Sequence, residues 1–200
     1  MNNLINEQFS ETVFSRIFQW YNEPSNWSIN NETNRLVIYT DSKTDYWQKT
    51  GYGFEADNGH FLYAEVSGDF TIATKVNFYP KNQYDQAGLM IRCSKHCWIK
   101  TSVEYEIDEP SRLGVVTNNG YSDWSVQDFP KDLNSVTLRI KREGSDYTVE
   151  YFDSYNWKLL RLTHLTEGEN ETIKAGIYAC SPKGKGYKTE FEYITIEHLK

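Results

Sequence analysis

No window of this 200-residue sequence is apolar over the length a membrane span needs, so a membrane partner is not expected. The opening stretch MNNLINEQFSETVF has no basic segment followed by an apolar core, which argues against an export signal and for a cytoplasmic location. Basic charge is also short. Lys and Arg total 21 against 28 Asp and Glu, for a formal net charge of −7, and the cations are scattered, so neither nucleic acid nor an anionic membrane is an expected partner. Cysteine is scarce and odd in number. Cys93, Cys97 and Cys180 cannot all pair within one chain, which fits reduced thiols in a reducing compartment. Cys93, His96 and Cys97 share one short turn but lack the second ligand pair of a structural zinc site, so no metal and no cofactor is expected, and the plain reading is a strand-end and a turn cysteine. Ala and Leu are sparse and no long helical period appears, which weighs against a helix bundle.

What is abundant is aromatic residues, 15 Tyr and 6 Trp among them, and these favour strands. Strand-like runs recur at 35–40, 70–79, 87–93, 98–107, 113–117, 136–142, 147–152, 158–162, 174–180 and 191–197. Turn-rich separators divide them, among them DNG at 57–59, SGD at 67–69, NNG at 118–120 and EGSD at 143–146. Roughly ten or more short antiparallel strands predict an all-β, two-sheet sandwich, because one open sheet of that size would leave a face exposed. Residues 1–200 are read as a single domain.

The central strands can be assigned faces by parity. Ala87, Leu89, Ile91 and Cys93 fall on one face and Gln86, Met90 and Arg92 on the other. In the next run Ile99, Val103, Tyr105 and Ile107 alternate with Trp98, Lys100, Glu104 and Glu106. Burying both apolar sets on one side requires paired residue numbers with an even sum, for instance Arg92 opposite Lys100. Leu113 and Val115 continue the core face, leaving Asn118 on the polar one. A two-residue type I′ turn at Asn119-Gly120 then pairs Asn118 with Tyr121, directing Tyr121 and Asp123 outward and Trp124 into the core. A three-residue loop with a bulge inverts that last step.

The resulting face carries Gln86, Arg92, Trp98, Lys100, Glu104, Glu106, Asn118, Tyr121 and Asp123. Two readings stand: a solvated sheet face, as antiparallel sheets often have, or a ligand groove.

Several blocks carry a resemblance: NEP at 22–24 with Trp27, TDYWQKTGYGFEADNGHFLY at 44–63, YDQAGLMIR at 84–92, WIKTSVEYE at 98–106 and TNNGYSDWS at 117–125. In this order they resemble the regulation-of-enolase protein family, from about Trp20 to the C-terminus. The resemblance implies the jelly-roll sandwich of the concanavalin A-like lectin/glucanase fold, whose concave sheet binds saccharides in many relatives. It names no substrate. One departure is Ser154, where relatives often have glycine in an Asp-Gly turn before Trp157, and a different or longer turn is expected there.

Saccharide recognition requires flat apolar faces to stack on pyranose C–H groups and planar polar groups to bind adjacent hydroxyls. Gln86, Arg92, Trp98, Lys100, Glu104, Asn118, Tyr121 and Asp123 supply both kinds, and Trp47, Tyr52 and His60 are candidates for a groove wall. Trp47 also reads as a packing ring and His60 as a turn cap. A saccharide or sugar-derived metabolite is therefore the expected ligand. Glycoside hydrolysis by Glu104 and Glu106 is an alternative, since residues two apart on a strand share a face and can approach the roughly 5–5.5 Å carboxyl spacing of retaining enzymes. Against it, the spacing is not the Glu-x-Asp-x-x-Glu of laminarinase-like enzymes, and Lys100 and Arg92 are expected to lower the pKa of Glu104. No Gly-x-Ser-x-Gly occurs. A non-catalytic regulator binding a protein partner is the third reading.

Overall fold

The alternation of the central strands resolves into two facing antiparallel sheets in the computed structural model, which describes residues 4–169 and 171–199. In chain order the strands are β1 (Leu4–Glu7), β2 (Gln19–Tyr21), β3 (Asn26–Asn30), β4 (Arg35–Tyr39), β5 (Tyr46–Gln48), β6 (Glu55–Asp57), β7 (His60–Val66), β8 (Phe70–Tyr79) and β9 (Gln86–Ser94). They continue as β10 (Cys97–Glu104), β11 (Ser111–Asn119), β12 (Ser122–Phe129), β13 (Ser135–Glu143), β14 (Asp146–Phe152), β15 (Trp157–His164), β16 (Ile173–Cys180) and β17 (Lys188–His198). One sheet has the order β15-β14-β13-β8-β17-β4-β3, with β1 added to β17, and the other β12-β11-β10-β9-β16-β7-β2. Strands β5 and β6 form a separate hairpin. Among the described residues no helix is long and apolar enough to cross a membrane.

Parity placed the core face correctly. Leu89, Ile91, Ile99, Val103 and Val115 pack against Ile72, Leu138 and Ile140 of the other sheet in one buried cluster. From Trp98 to Glu104 the pairing sums between β9 and β10 are even, as burial demands, but Trp98 rather than Lys100 lies opposite Arg92. The register shifts by one residue between Cys97, which lies opposite Ser94, and Trp98, and the pairs beyond it stand two residues from the expected ones, a difference that preserves the faces. The odd face also ends sooner than alternation implies. Strand β10 stops at Glu104, so Tyr105 is half-buried and Ile107 exposed, with one further bond in register from the Tyr105 amide to the Asp85 carbonyl.

The β11–β12 hairpin departs from the two-residue turn. Asn118 pairs with Ser122, Thr117 with Asp123 and Val116 with Trp124, leaving three loop residues. A type I′ turn needs positive φ at both central residues, yet here only Gly120 has it, at 89°. Asn119 is committed elsewhere. Its side chain accepts from the Thr166 amide at 3.0 Å and donates to the His164 carbonyl at 3.0 Å. The extra residue turns Trp124 to the outer face and sends Asp123 to the opposite side, where it accepts from Arg161 Nη2 at 2.6 Å.

Ser154 holds φ at 80°, a value that favours glycine, and Asp153 braces the turn by accepting from the Tyr155 and Asn156 amides. The glycine-type conformation persists without the glycine.

Trp98 is 0% exposed and Trp124 38% exposed, although both rings rise from the same sheet face. Trp98→Ala is therefore expected to lower stability by roughly 3–5 kcal/mol, and Trp124→Ala by less than about 1 kcal/mol, in denaturant melts. Equal losses for the two variants would contradict this division of the face.

Candidate functional site

The outer face of the second sheet is too rich in rings to be left to water, and the β5–β6 hairpin covers half of it. Tyr46 packs beside Trp98 and Tyr178, with ring centroids 6.3 Å away in each case. Met90, Phe61 and Tyr63 complete this second buried cluster. Three polar attachments hold the cover down. Arg92 donates to Asp57 Oδ1 at 2.7 Å and to Oδ2 at 2.9 Å, a bidentate pair under the Tyr21 ring. The Gln48 amide donates to Ser122 Oγ at 2.9 Å, and the Tyr46 hydroxyl donates to the Gly59 carbonyl at 2.5 Å.

The uncovered half is a groove of about 710 Å³. Its floor is built by Gln86 of β9, Lys100 and Glu104 of β10, Arg112 and Val116 of β11, and Trp124 and Val126 of β12. Trp47, Tyr52, Phe54 and Ala56 of the hairpin form one wall, and Lys43, Asp45, Tyr84, Glu106, Pro182 and Lys183 complete the lining. That volume lies within the range of small-molecule sites. Trp47 meets Trp124 edge-on, with centroids 6.4 Å apart at 89°, and Tyr52 stacks on Phe54 at 6.2 Å. Tyr52 is 67% exposed, so its ring is free on one side.

A hydrogen-bond chain crosses the floor. Lys100 Nζ donates to Asp45 Oδ1 at 3.3 Å and to Gln86 Oε1 at 3.0 Å. Gln86 Nε2 in turn donates to Glu104 Oε2 at 2.7 Å, and the Tyr178 hydroxyl donates to Gln86 Oε1 at 3.1 Å. Burial pushes the Glu104 carboxyl up to about 8, a rise that Lys100 opposes and the nearby Asp45 and Glu106 reinforce. This reverses the expected lowering. Desolvation outweighs the single ammonium, and Arg92, the second expected cation, is engaged with Asp57.

Of the residues expected at the site, Gln86, Lys100, Glu104, Glu106, Trp47 and Tyr52 line the groove. The others do not. Trp98 and Arg92 lie beneath the hairpin as packing ring and anchor. Asn118 is fully buried beside Ser122, the residue the hairpin grips. His60 is buried too: Nε2 accepts from the Asp41 amide at 2.9 Å and Nδ1 faces the Asn22 carbonyl at 2.8 Å, a neutral tautomer whose pKa burial lowers. Tyr121 stands exposed at the loop tip with Lys49 Nζ 5.4 Å from its ring, and Asp123 faces away. The alternation pattern missed Trp124 through the hairpin register, and Asp45, Tyr84 and Lys183 because they come from loops. Tyr84 has a φ of 69°, unusual for an aromatic residue and invisible in sequence. Among the described residues no group of three or more His, Cys, Asp or Glu is placed to hold a metal.

Residues 20–199 match the family described as "Protein of unknown function (DUF1349)". The chain is also 34% identical over 173 residues to Regulation of enolase protein 1 of Saccharomyces cerevisiae, covering 86% of this chain and 85% of that one. The chain belongs to the regulation-of-enolase protein family. A functionally unknown Saccharomyces cerevisiae protein of solved structure superposes with a TM-score of 0.83 at 30% identity, over 92% of this chain and 97% of that one. The GH43 protein BlXynB of Bacillus licheniformis superposes with a TM-score of 0.75 at 16% identity, over 97% of this chain but only 39% of that one. At that identity the likeness speaks to the fold alone. The fold is the antiparallel jelly-roll sandwich of the concanavalin A-like lectin/glucanase type.

The raised Glu104 has a measurable consequence. Between its ordinary value near 4.5 and about 8 the folded protein holds a proton that the unfolded chain releases, so this group's contribution to stability falls as pH rises through that window. Glu104→Gln removes the loss. The variant should match wild type near pH 4 and become progressively more stable than it towards pH 8, by at most about 1.4 kcal/mol per pH unit, in urea midpoints measured across the range. A pH-independent difference would show that the carboxyl is ionised throughout.

Proposed function

We propose that the groove binds a saccharide or sugar-derived metabolite. The observation that carries this reading is the pairing of free aromatic faces at Trp124, Tyr52 and Phe54 with a hydrogen-bonded floor of Gln86, Lys100 and Glu104 inside one groove. Rings stack on the apolar face of a pyranose, and the side-chain amide and ammonium bind neighbouring hydroxyls. The floor is already hydrogen-bonded to itself, so little rearrangement is needed before a ligand arrives. The name of the yeast relative supports a regulatory role in carbohydrate metabolism. Three free thiols, Cys93, Cys97 and Cys180, support a reducing, cytoplasmic setting.

A glycan array followed by calorimetric titration of the best binder tests the reading. Trp124→Ala and Tyr52→Ala should each weaken binding by on the order of 2 kcal/mol, about 30-fold, with melting temperatures close to wild type. Unchanged affinity in both variants would remove the groove from consideration.

A second reading rests on Glu104 alone. A carboxyl with its pKa pushed up to about 8 is protonated at neutral pH and suits a general acid for glycosidic cleavage, with Glu106 also lining the groove. Turnover on a panel of aryl glycosides, lost in Glu104→Gln, would support catalysis over binding alone. Absence of turnover on substrates that demonstrably bind would leave a lectin-like site.

A further inference from the structure

The charges of the groove are not evenly matched. Asp45 is paired with Lys100, and Arg112 with Glu109 and Asp128. Lys43 and Lys183 line the same groove and, among the described residues, form no ion pair. They stand on one rim because their segments are tied together: the Thr44 amide donates to the Ser181 carbonyl at 3.3 Å and the Ser181 amide to Thr44 Oγ1 at 2.9 Å. Lys43 holds a φ of 58°, and Asn58 Nδ2 donates to its carbonyl at 3.0 Å, so the chain is fixed in a conformation costly for a residue with a side chain. Its nearest carboxylates along the chain are occupied, Asp41 by the Ser25 amide and hydroxyl and Asp45 by Lys100. Below the rim, Lys100 is 3% exposed and uses two of its three donors on protein oxygens. A chain of net charge −7 thus presents, among the described residues, two ammonium groups without an ion-pair partner at one side of its aromatic groove, against one lining carboxylate without a cation, Glu106, which accepts from Gln83.

We infer that the groove selects a sugar bearing an anionic substituent, a carboxylate or a phosphoryl group, held at the Lys43 and Lys183 rim while the ring lies against Trp124 above Gln86 and Lys100. This rests on the saccharide reading and adds the charge of the ligand. The anion belongs at the rim because the floor ammonium is already neutralised by Asp45, whereas the rim lysines have solvent as their alternative. Partly solvated charges contribute modestly, so two of them yield a preference of about tenfold rather than absolute selection.

The test compares a glucuronate-bearing xylo-oligosaccharide with the neutral oligosaccharide of equal length, and glucose 6-phosphate with glucose, by titration at low salt. In wild type at least one anionic member should bind about tenfold more tightly than its neutral counterpart, and the advantage should shrink as salt rises. K43Q/K183Q should bring that ratio close to one, and K43R/K183R should keep it. The uronate and phosphate arms tell which anion is preferred. Equal binding of charged and neutral sugars by wild type, or a preference that survives K43Q/K183Q, overturns the inference while leaving saccharide binding in place. Failure of every sugar, charged or neutral, to bind overturns the saccharide reading and this inference together.

Discussion

The bidentate pair between Arg92 and Asp57 is the contact on which the rest of the outer face depends. Arg92 projects from the middle of the second sheet, and Asp57 closes the β5–β6 hairpin that lies across it. Without that clamp the rings of Trp98, Tyr46 and Tyr178 would be open to water on a face that points away from the other large sheet. A guanidinium suits the position because it satisfies both carboxylate oxygens at once while its central carbon lies 4.6 Å from the centroid of the Tyr21 ring. Removing one partner of such a pair leaves the other charge buried without compensation, a far larger penalty than the net worth of the intact pair.

The hairpin that the clamp secures also makes the groove. It ends at the edge of the covered half, so its own rings become a wall instead of more core. Trp47 faces both worlds, packed against the second cluster and edge-on to Trp124 in the groove. The floor beyond it is polar because β9, β10 and β11 continue the same face with Gln86, Lys100, Glu104 and Arg112. One sheet face thus carries a buried aromatic half and a polar open half. The boundary between them is where a carboxyl can be desolvated enough to keep its proton near neutral pH and still lie on accessible space.

The sandwich and the assignment of core to the odd positions of β9, β10 and β11 were legible in the amino-acid sequence, because period-two alternation depends only on neighbours along the chain. So was the family, since its motif blocks are local. Gln86, Lys100, Glu104, Glu106 and Trp47 could be selected for the site on the same grounds. Strands β5 and β6 escaped notice because three residues are too few to show a period, and β7 because it is buried almost throughout and does not alternate.

Tertiary structure alone decided which outward-facing residues meet a ligand and which meet protein. Trp98 and Trp124 are both large rings on one face, and nothing local distinguishes the one beneath the hairpin from the one beside it. The orientation of Trp124 itself turned on Asn119, whose side chain is drawn to Thr166 and His164 from a distant loop and so leaves the Asn-Gly pair unable to form the tighter turn. The protonation of Glu104 follows the same logic. Neighbouring cations can be read along a strand, but desolvation is set by everything packed around the carboxyl, and here it outweighs them. Alternation therefore fixes the faces of a strand, whereas the fate of each face depends on segments far away in the chain.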